Sequence, residues 1–406
     1  FLAPASQSGS DAPSNSPRRN AGEDRPRFPF VFSLIVWSSF ERIRNIRFRL
    51  ERSNYVNYPA RVRDLILRFG WNSTCYQLLN PGFRYWFSER REAVVGYVQY
   101  AGTRIVGGAP VCAYEVLAEV VREFEADARS HKLRVCYFAS EAHLESIIAN
   151  EAGYSTILLG AQPVWRPGEL ARRVERKPSL RTQLHRAWNK GVTVERWSAA
   201  DATNNPHLHA ILTEWLATRG LPSLHFLVEP ETLANLDDRR IFVARRGFEV
   251  VGFLNVSPVP LRHGWLVEQF VRGNHAPNGT VELMLHAAAK QLADDGFEYL
   301  TLGLSPLIPF GGYLPEAPPA IIRFLLRWAR AHGKRFYDFA GLEFFKSKFE
   351  PERWEPIYAI SNESRFSLRS LYAIACAFTN GRPVRTVLAG IAKAFAKEMQ
   401  WLVRQE

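Results

Sequence analysis

The stretch "GWLVEQFVRGNHAPNGTVELML" (264–285) gathers residue types that could hold an anion or move a proton: Glu268, Gln269, Arg272 and Glu282. Its first nine residues read as an apolar strand, the segment Gly273–Gly279 as a tight loop, and the rest as a helix opening near Thr280. A helix start offers unpaired N–H groups and the positive end of the dipole to an anion. Asn278 and Gly279 would face such an anion, although a Pro-Asn-Gly run is also simply a turn. Pro277 supplies no N–H, and Asn274 and His275 are bulky, so the loop is a poor clamp for a coenzyme pyrophosphate. Arg272 closes the strand, where a guanidinium suits a phosphate or carboxylate. Strand alternation puts Glu268 on the face of Arg272 and Gln269 on the other. Glu282, in the first helical turn, would at the least satisfy the dipole.

A second group lies in "GLEFFKSKFEPERWEPIY" (341–358), where Lys346 and Lys348 stand among aromatics. Leu342, Phe345 and Phe349 follow helical spacing and read as core, and Lys346 shares a face with Glu343. A third group is basic. "RPGELARRVERKPSLRTQLHRAWNKGV" (166–192) holds Arg172, Arg173, Arg176, Lys177, Arg181, Arg186 and Lys190 against Glu169 and Glu175. It is either a solvated helix face or, with His185 and Trp188 interleaved, a groove element for a phosphate chain.

The elements that must position these groups alternate helix and strand. From about 58, "ARVRDLILRFG" reads as a helix, "EAVVGYVQYAGTRIVGG" as a hairpin and "AYEVLAEVVREFEADARSHK" as an amphipathic helix. Then follow strand "LRVCYFA", helix "EAHLESIIANEAG" and strand "YSTILLGAQPVW". A similar series begins near 205: helix "HLHAILTEWLATRG", a hairpin turning at "RRGFE", strand "GWLVEQFVR", helix "GTVELMLHAAAKQLADDG" and strand "FEYLTLGLS". "PPAIIRFLLRWARAHG", "YDFAGLEFFKSKF" and a last strand "EPIYAIS" complete it. Two copies of one α/β unit with antiparallel hairpins account for this order.

The 406 residues carry a formal charge of +12, which favours an anionic partner: nucleic acid, acidic membrane or phosphorylated substrate. Cys75, Cys112, Cys136 and Cys376 are far apart and predict neither a zinc site nor a disulfide scaffold. His207 and His209 in "NPHLH" are two apart, not the four of a helical metal pair, and read as loop residues. No segment reaches the roughly 20 apolar residues of a membrane span. "FPFVFSLIVWSSF" (28–40), followed by Arg42, Arg44, Arg47 and Arg49, suits a membrane interface or a buried element equally. Residues 1–27 are rich in Ser, Pro and charge and read as disordered. The tail 363–406 is basic and amphipathic, fit to lie on anionic lipid or to cover a core face. Phe1, not Met, opens the chain, which leaves room for an upstream membrane region.

The stretches 264–307 and "FYDFAGLEFFKSKFEPERWEPIYAI" resemble the two signature segments of the phosphatidylglycerol lysyltransferase C-terminal domain family. That family is the catalytic part of multiple peptide resistance factor and of aminoacyl-phosphatidylglycerol synthases. "FLNVSPV" and "LRTQLHRAWNKGVTV" fit its other recurring segments, and the resemblance covers about 60–360. It implies an α/β (α+β) tandem acetyltransferase-like (dual GNAT) fold, two mixed sheets flanked by helices and joined by a basic helix. The boundaries expected are 28–57 for an amphipathic N-terminal segment, 58–165 and 201–362 for the two acetyltransferase-like domains, and 166–200 for the basic linker between them.

The resemblance also implies a reaction: transfer of an aminoacyl group from aminoacyl-tRNA to a lipid hydroxyl, usually that of phosphatidylglycerol, in a tunnel through the second half. By position Arg272 matches the arginine closing the family's Asp-Leu-Met-Arg strand, and Glu282 the acid after its Pro-Asn-Gly turn. Lys346 and Lys348 match the basic pair before Phe-x-Pro, and Asn255 the asparagine of the earlier strand. Gln269 departs from the family's aspartate, which bears on recognition of a cationic aminoacyl group. The expected catalytic set is Arg272, Glu282, Lys346, Lys348 and Glu268, the first, third and fourth holding phosphates and a glutamate holding the α-amine or moving a proton. Asn255, Gln269, Asn278, Gly279, Arg181, Arg186 and Lys190 are expected to bind substrate.

The tRNA ester is already activated, so neither cofactor nor metal is required, and aminoacyl-tRNA is a co-substrate. The expected partners are aminoacyl-tRNA and an anionic phospholipid membrane, and the expected place is peripheral, at the cytoplasmic face. An acyl-coenzyme A N-acyltransferase and a non-catalytic tRNA- or membrane-binding module are the alternatives.

Overall fold

The computed structural model describes residues 58–148, 151–219, 223–306, 339–386 and 388–389. The expectations for 1–57, for "PPAIIRFLLRWARAHG" and for the end of the tail lie outside the described residues.

The first half runs α1 (Tyr58–Phe69), β1 (Arg84–Phe87), β2 (Val94–Tyr100), β3 (Thr103–Gly107), α2 (Leu117–Ser130), β4 (Arg134–Ser140), α3 (Ala142–Ile148) and β5 (Ser155–Trp165). The helix pair α4 (Pro167–Arg176) and α5 (Pro178–Asn189) leads to the second half. Pro178 splits what the charge pattern reads as one basic helix. It lacks an N–H, and Lys177 before it is extended with ψ 117°.

The second half runs β6 (Val192–Trp197), α6 (Ala199–Ala202), α7 (Pro206–Ala217), β7 (Arg240–Arg246), β8 (Glu249–Val259), β9 (Gly264–Arg272), α8 (Thr280–Asp294), β10 (Tyr299–Thr301) and β11 (Ser305–Pro306). After the undescribed stretch come α9 (Phe339–Ser347), β12 (Arg353–Ser361) and α10 (Leu368–Phe378). His207 and His209 lie in the first turn of α7, not in a loop, because the Asn205 side chain caps that helix and Pro206 fits its first position.

Each half pairs an antiparallel meander with a parallel strand reached across a helix: β3 runs parallel to β4, and β9 to β10. The final strands are exchanged. β12 lies between β4 and β5, and β5 between β12 and β10, all antiparallel. The two sheets thus meet edge to edge in one continuous mixed sheet of 12 strands. A buried ionic knot braces the joint, where Arg262 bonds Glu141 and Glu355 at 2.8 and 2.6 Å.

Two local irregularities shape the second half. Leu266 opposite Thr301 is the last pair between β9 and β10, so Val267–Arg272 has no strand on that edge among the described residues. In the β8–β9 hairpin, Val256 faces Val267 while Asn255 faces Gln269, leaving Glu268 as the extra residue of a bulge. The bulge resets the alternation. Trp265, Val267 and Phe270 pack on the α8 side, while Val271 joins the core beneath α7.

Candidate active site

The residues singled out in the sequence separate into a group on the α8 side of β9 and a group on the opposite side. On the α8 side, α9 lays Phe345 against Phe270, ring centroids 5.1 Å apart, and Phe349, in the turn after the helix, is buried in the core. The segment after α9 is pinned by Trp165, whose indole donates to the Phe349 carbonyl at 3.1 Å, and by Lys177, which donates to the Lys348 carbonyl at 2.9 Å. The Lys348 ammonium pairs with Glu282 at 2.6 Å and lies over the Phe345 ring at 4.2 Å. Glu282 therefore does more than answer the helix dipole: it holds a cation against an aromatic wall.

Lys346 is 3% exposed. It does not pair with Glu343; its Nζ donates to the Gly303 and Leu304 carbonyls at 2.8 and 3.0 Å. Those carbonyls belong to the chain that breaks away between β10 and β11, beside the end of the β9–β10 pairing. Burial disfavours the charged form and pushes the Lys346 amine down to about 7. An amine so placed keeps its N–H bonds on the two carbonyls and, when neutral, has a lone pair to offer, a different task from the phosphate grip that its sequence position suggests.

Arg272 is exposed at the end of β9. It donates to the Ala276 carbonyl at 2.9 Å and to the Asn278 side chain at 3.1 Å, closing the loop Gly273–Gly279 on itself. Gly279 has φ +93°, and a Cβ there would overlap the Gln183 carbonyl of α5. The start of α8 is thus covered by a helix backbone, which explains why a glycine stands there. Gly279→Ala should cost about 2–4 kcal/mol, from left-handed strain plus the clash, read as a lower midpoint in denaturant.

This packing also sets α5 beside the site. Arg181, His185, Arg186, Trp188 and Lys190 are exposed, and the rings of His185 and Trp188 lie parallel, 6.0 Å apart. Arg181, Arg186 and Lys190 make no ion pair among the described residues.

The opposite side holds Glu268, Gln269 and Asn255. The bulge puts Glu268 with Gln269, not with Arg272 as plain alternation predicts. Glu268 is locked in place: Arg239 binds it twice, at 2.8 and 3.0 Å, and Gln77 of the first half also donates to it. The side chains of Glu268 and Arg239 are only 6% and 3% exposed. A carboxylate so neutralised is a brace between the halves, not a free base. Removing one partner of such a pair costs about 3–5 kcal/mol, so Glu268→Leu should lower the unfolding midpoint accordingly.

Gln269 accepts from Thr232 at 2.8 Å, and its backbone N–H donates to Asn255 at 3.1 Å. The buried Asn255 Nδ2 has no partner among the described residues, which leaves its two N–H donors for a ligand carbonyl. Sequence reasoning missed Arg239 and Gln77, which lie 29 and 191 residues from Glu268 and carry no local signal of the pairing. Among the described residues no cluster of histidine, cysteine and acidic side chains could hold a metal.

A mixed sheet with exchanged final strands, a lysine buried where its second parallel pair ends and a basic helix pair laid across the following helix define the class. The chain belongs to the family described as phosphatidylglycerol lysyltransferase, C-terminal, whose model matches residues 63–361. It is 23% identical over 315 residues to the phosphatidylglycerol lysyltransferase of Bacillus subtilis, covering 76% of this chain and 35% of that protein. It thus spans about a third of that relative's length.

Among solved structures, the C-terminal domain of a putative lysylphosphatidylglycerol synthetase from Agrobacterium fabrum shares the fold. Its TM-score is 0.66 at 22% identity, over 80% of this chain and 97% of that one. The L-PGS of Bacillus licheniformis gives a TM-score of 0.64 at 18% identity, over 82% and 96%.

Proposed function

We propose that this chain is an aminoacyltransferase that moves an aminoacyl group from aminoacyl-tRNA to the hydroxyl of a membrane lipid, with phosphatidylglycerol as acceptor. The observation that carries the reading is Lys346, a buried amine held on the Gly303 and Leu304 carbonyls and pushed down to about 7, two residues before the Lys348 that pairs with Glu282. Support for the lipid comes from the family and from the name of the Bacillus subtilis relative. Support for the tRNA comes from α5, whose exposed Arg181, Arg186 and Lys190 suit a phosphate chain and whose His185–Trp188 stack suits an unpaired base.

In the reaction, the lipid hydroxyl oxygen attacks the aminoacyl carbonyl as its proton passes to the neutral Lys346 amine. Negative charge builds on the carbonyl oxygen, where the Lys348 ammonium offsets it. The tetrahedral intermediate collapses, the bond to the tRNA ribose oxygen breaks, and Lys346 returns the proton to that oxygen. One ester is exchanged for another, with no net change in protons. The edge of β9 that has no strand among the described residues, with the Asn255 Nδ2 on the face opposite Lys346, supplies donors and acceptors for an aminoacyl group that passes through that gap. Gln269 stands where the family's strand has aspartate, and Glu268 is neutralised by Arg239, so this wall favours an uncharged aminoacyl side chain.

The covered start of α8 speaks against an acyl-coenzyme A donor. The test is to mix the chain with radiolabelled aminoacyl-tRNAs and total lipid. Label should enter the organic phase, and ribonuclease pretreatment should prevent it. Label that moves equally from acyl-coenzyme A, or saturable coenzyme A binding, would sink the proposal.

A further inference from the structure

The family match ends at residue 361, yet the chain continues in an ordered element with its own chemistry. Glu363 anchors it: Arg134 pairs with this carboxylate at 2.8 Å, and the hydroxyls of Ser367 and Ser370 donate to it at 3.1 and 2.6 Å. Ser367 caps α10, whose buried face of Ser370, Ala373, Cys376 and Ala377 lies against the first half of the sheet. Phe378 closes the contact against Phe138 and Phe226, at centroid distances of 5.3 and 5.5 Å. After the turn at Asn380 and Gly381, residues 383–386 and 388–389 are again helical.

The outer surface of this element is apolar and basic together. Leu368 and Tyr372 are each 50% exposed, Val384 66% and Leu388 60%. Each pair is spaced by four residues, so each forms one face of a helix turn. Residues 364–389 carry Arg365, Arg369, Arg382 and Arg385 and no acidic residue. None of these arginines makes an ion pair among the described residues. Arg382 and Arg385, with Ser223, His225, Thr379 and Asn380, line a cleft of about 530 Å³.

Exposed leucines and valine flanked by uncompensated arginines cost free energy in water and gain it at an anionic bilayer. Apolar side chains there enter the acyl boundary while guanidiniums meet lipid phosphates. Four apolar side chains at half exposure or more, on a stretch with four arginines and no acidic residue, match the chemistry of an anionic bilayer surface. We infer that residues 365–386 and 388–389 form a membrane-docking element for anionic phospholipid, with the Arg382–Arg385 cleft seating a lipid phosphate apart from the transfer site. It adds to the proposed transfer a second, non-catalytic contact with the acceptor's membrane.

The test is vesicle co-sedimentation of the full chain without tRNA. Phosphatidylcholine vesicles are compared with vesicles containing about one-third phosphatidylglycerol. The wild-type chain should bind the anionic vesicles and leave the neutral ones. R382Q/R385Q should weaken that binding on the order of thirtyfold. V384S/L388S should weaken it too, with thermal unfolding unchanged in both variants because all four residues are exposed.

Transfer to lipid dispersed in detergent micelles should be unaffected by R382Q/R385Q. Vesicle binding without any transfer to micellar lipid would leave the docking element standing and remove the transfer reading instead. Equal binding to neutral and anionic vesicles overturns the docking proposal. So does unchanged anionic binding by R382Q/R385Q.

Discussion

Lys346→Met should lower aminoacyl transfer by about 10²–10⁴-fold while the chain stays folded. The lysine is enclosed and donates to two carbonyls, and methionine fills a similar volume without a charge. Folding should even improve at neutral pH. The amine's pKa falls from its ordinary 10.5 to about 7 on folding, because burial disfavours the ammonium. The unfolded chain therefore binds more protons between those values, and native stability rises with pH across the window. The cost is fully present below about pH 7 and fades towards 10.5. Denaturant midpoints of Lys346→Met and wild type should differ most near pH 7 and converge near the alkaline end. A variant that unfolds, or that keeps full activity, would show Lys346 to be a brace for the β10–β11 break and nothing more.

The second large effect is expected at the Glu282–Lys348 pair. Lys348→Met should reduce turnover by about 10²–10³-fold, the usual loss when a donor to a developing oxyanion is removed. The loss should fall on kcat more than on KM, since the charge it meets develops only during reaction. Glu282→Gln should act less directly, freeing the Lys348 ammonium from its 2.6 Å partner and from its place over Phe345. The charge swap Glu282→Lys with Lys348→Glu separates structure from chemistry. It should restore much of the unfolding midpoint lost in either single change, and none of the activity. Recovery of activity in the swap would mean that the pair serves packing alone.

Much of the scaffold was legible in the sequence because it rests on local patterns. "GWLVEQFVR" coincides with β9, and the turn at "RRGFE" joins β7 to β8. The basic stretch 166–192 proved helical, as two helices broken at Pro178, and most of its charges are exposed, Arg173 and Lys177 being half-buried. Spatial order was not legible. Nothing local tells β12 to pair with β5 and β4, so two sheets were expected where one runs through.

The site was legible in its residue types and not in their tasks. Alternation placed Glu268 beside Arg272, but a single bulge, set by pairing with β8, moved it to the other side. Once there it met Arg239 and Gln77, which no spacing rule connects to it. Lys346 stood among aromatics in the sequence, so its helix face was readable. Its chemistry depends on two carbonyls that the β10–β11 break turns towards it, and such a break has no sequence signature.

The most direct test of the central claim is the pH dependence of single-turnover transfer from charged tRNA to phosphatidylglycerol, corrected for spontaneous ester loss. With Lys346 accepting the lipid hydroxyl's proton, the rate should rise through one ionisation near 7 and level off above it. The residual rate of Lys346→Met should lack that ionisation. A wild-type profile that is flat across neutrality, or a rise that survives in Lys346→Met, would contradict the account.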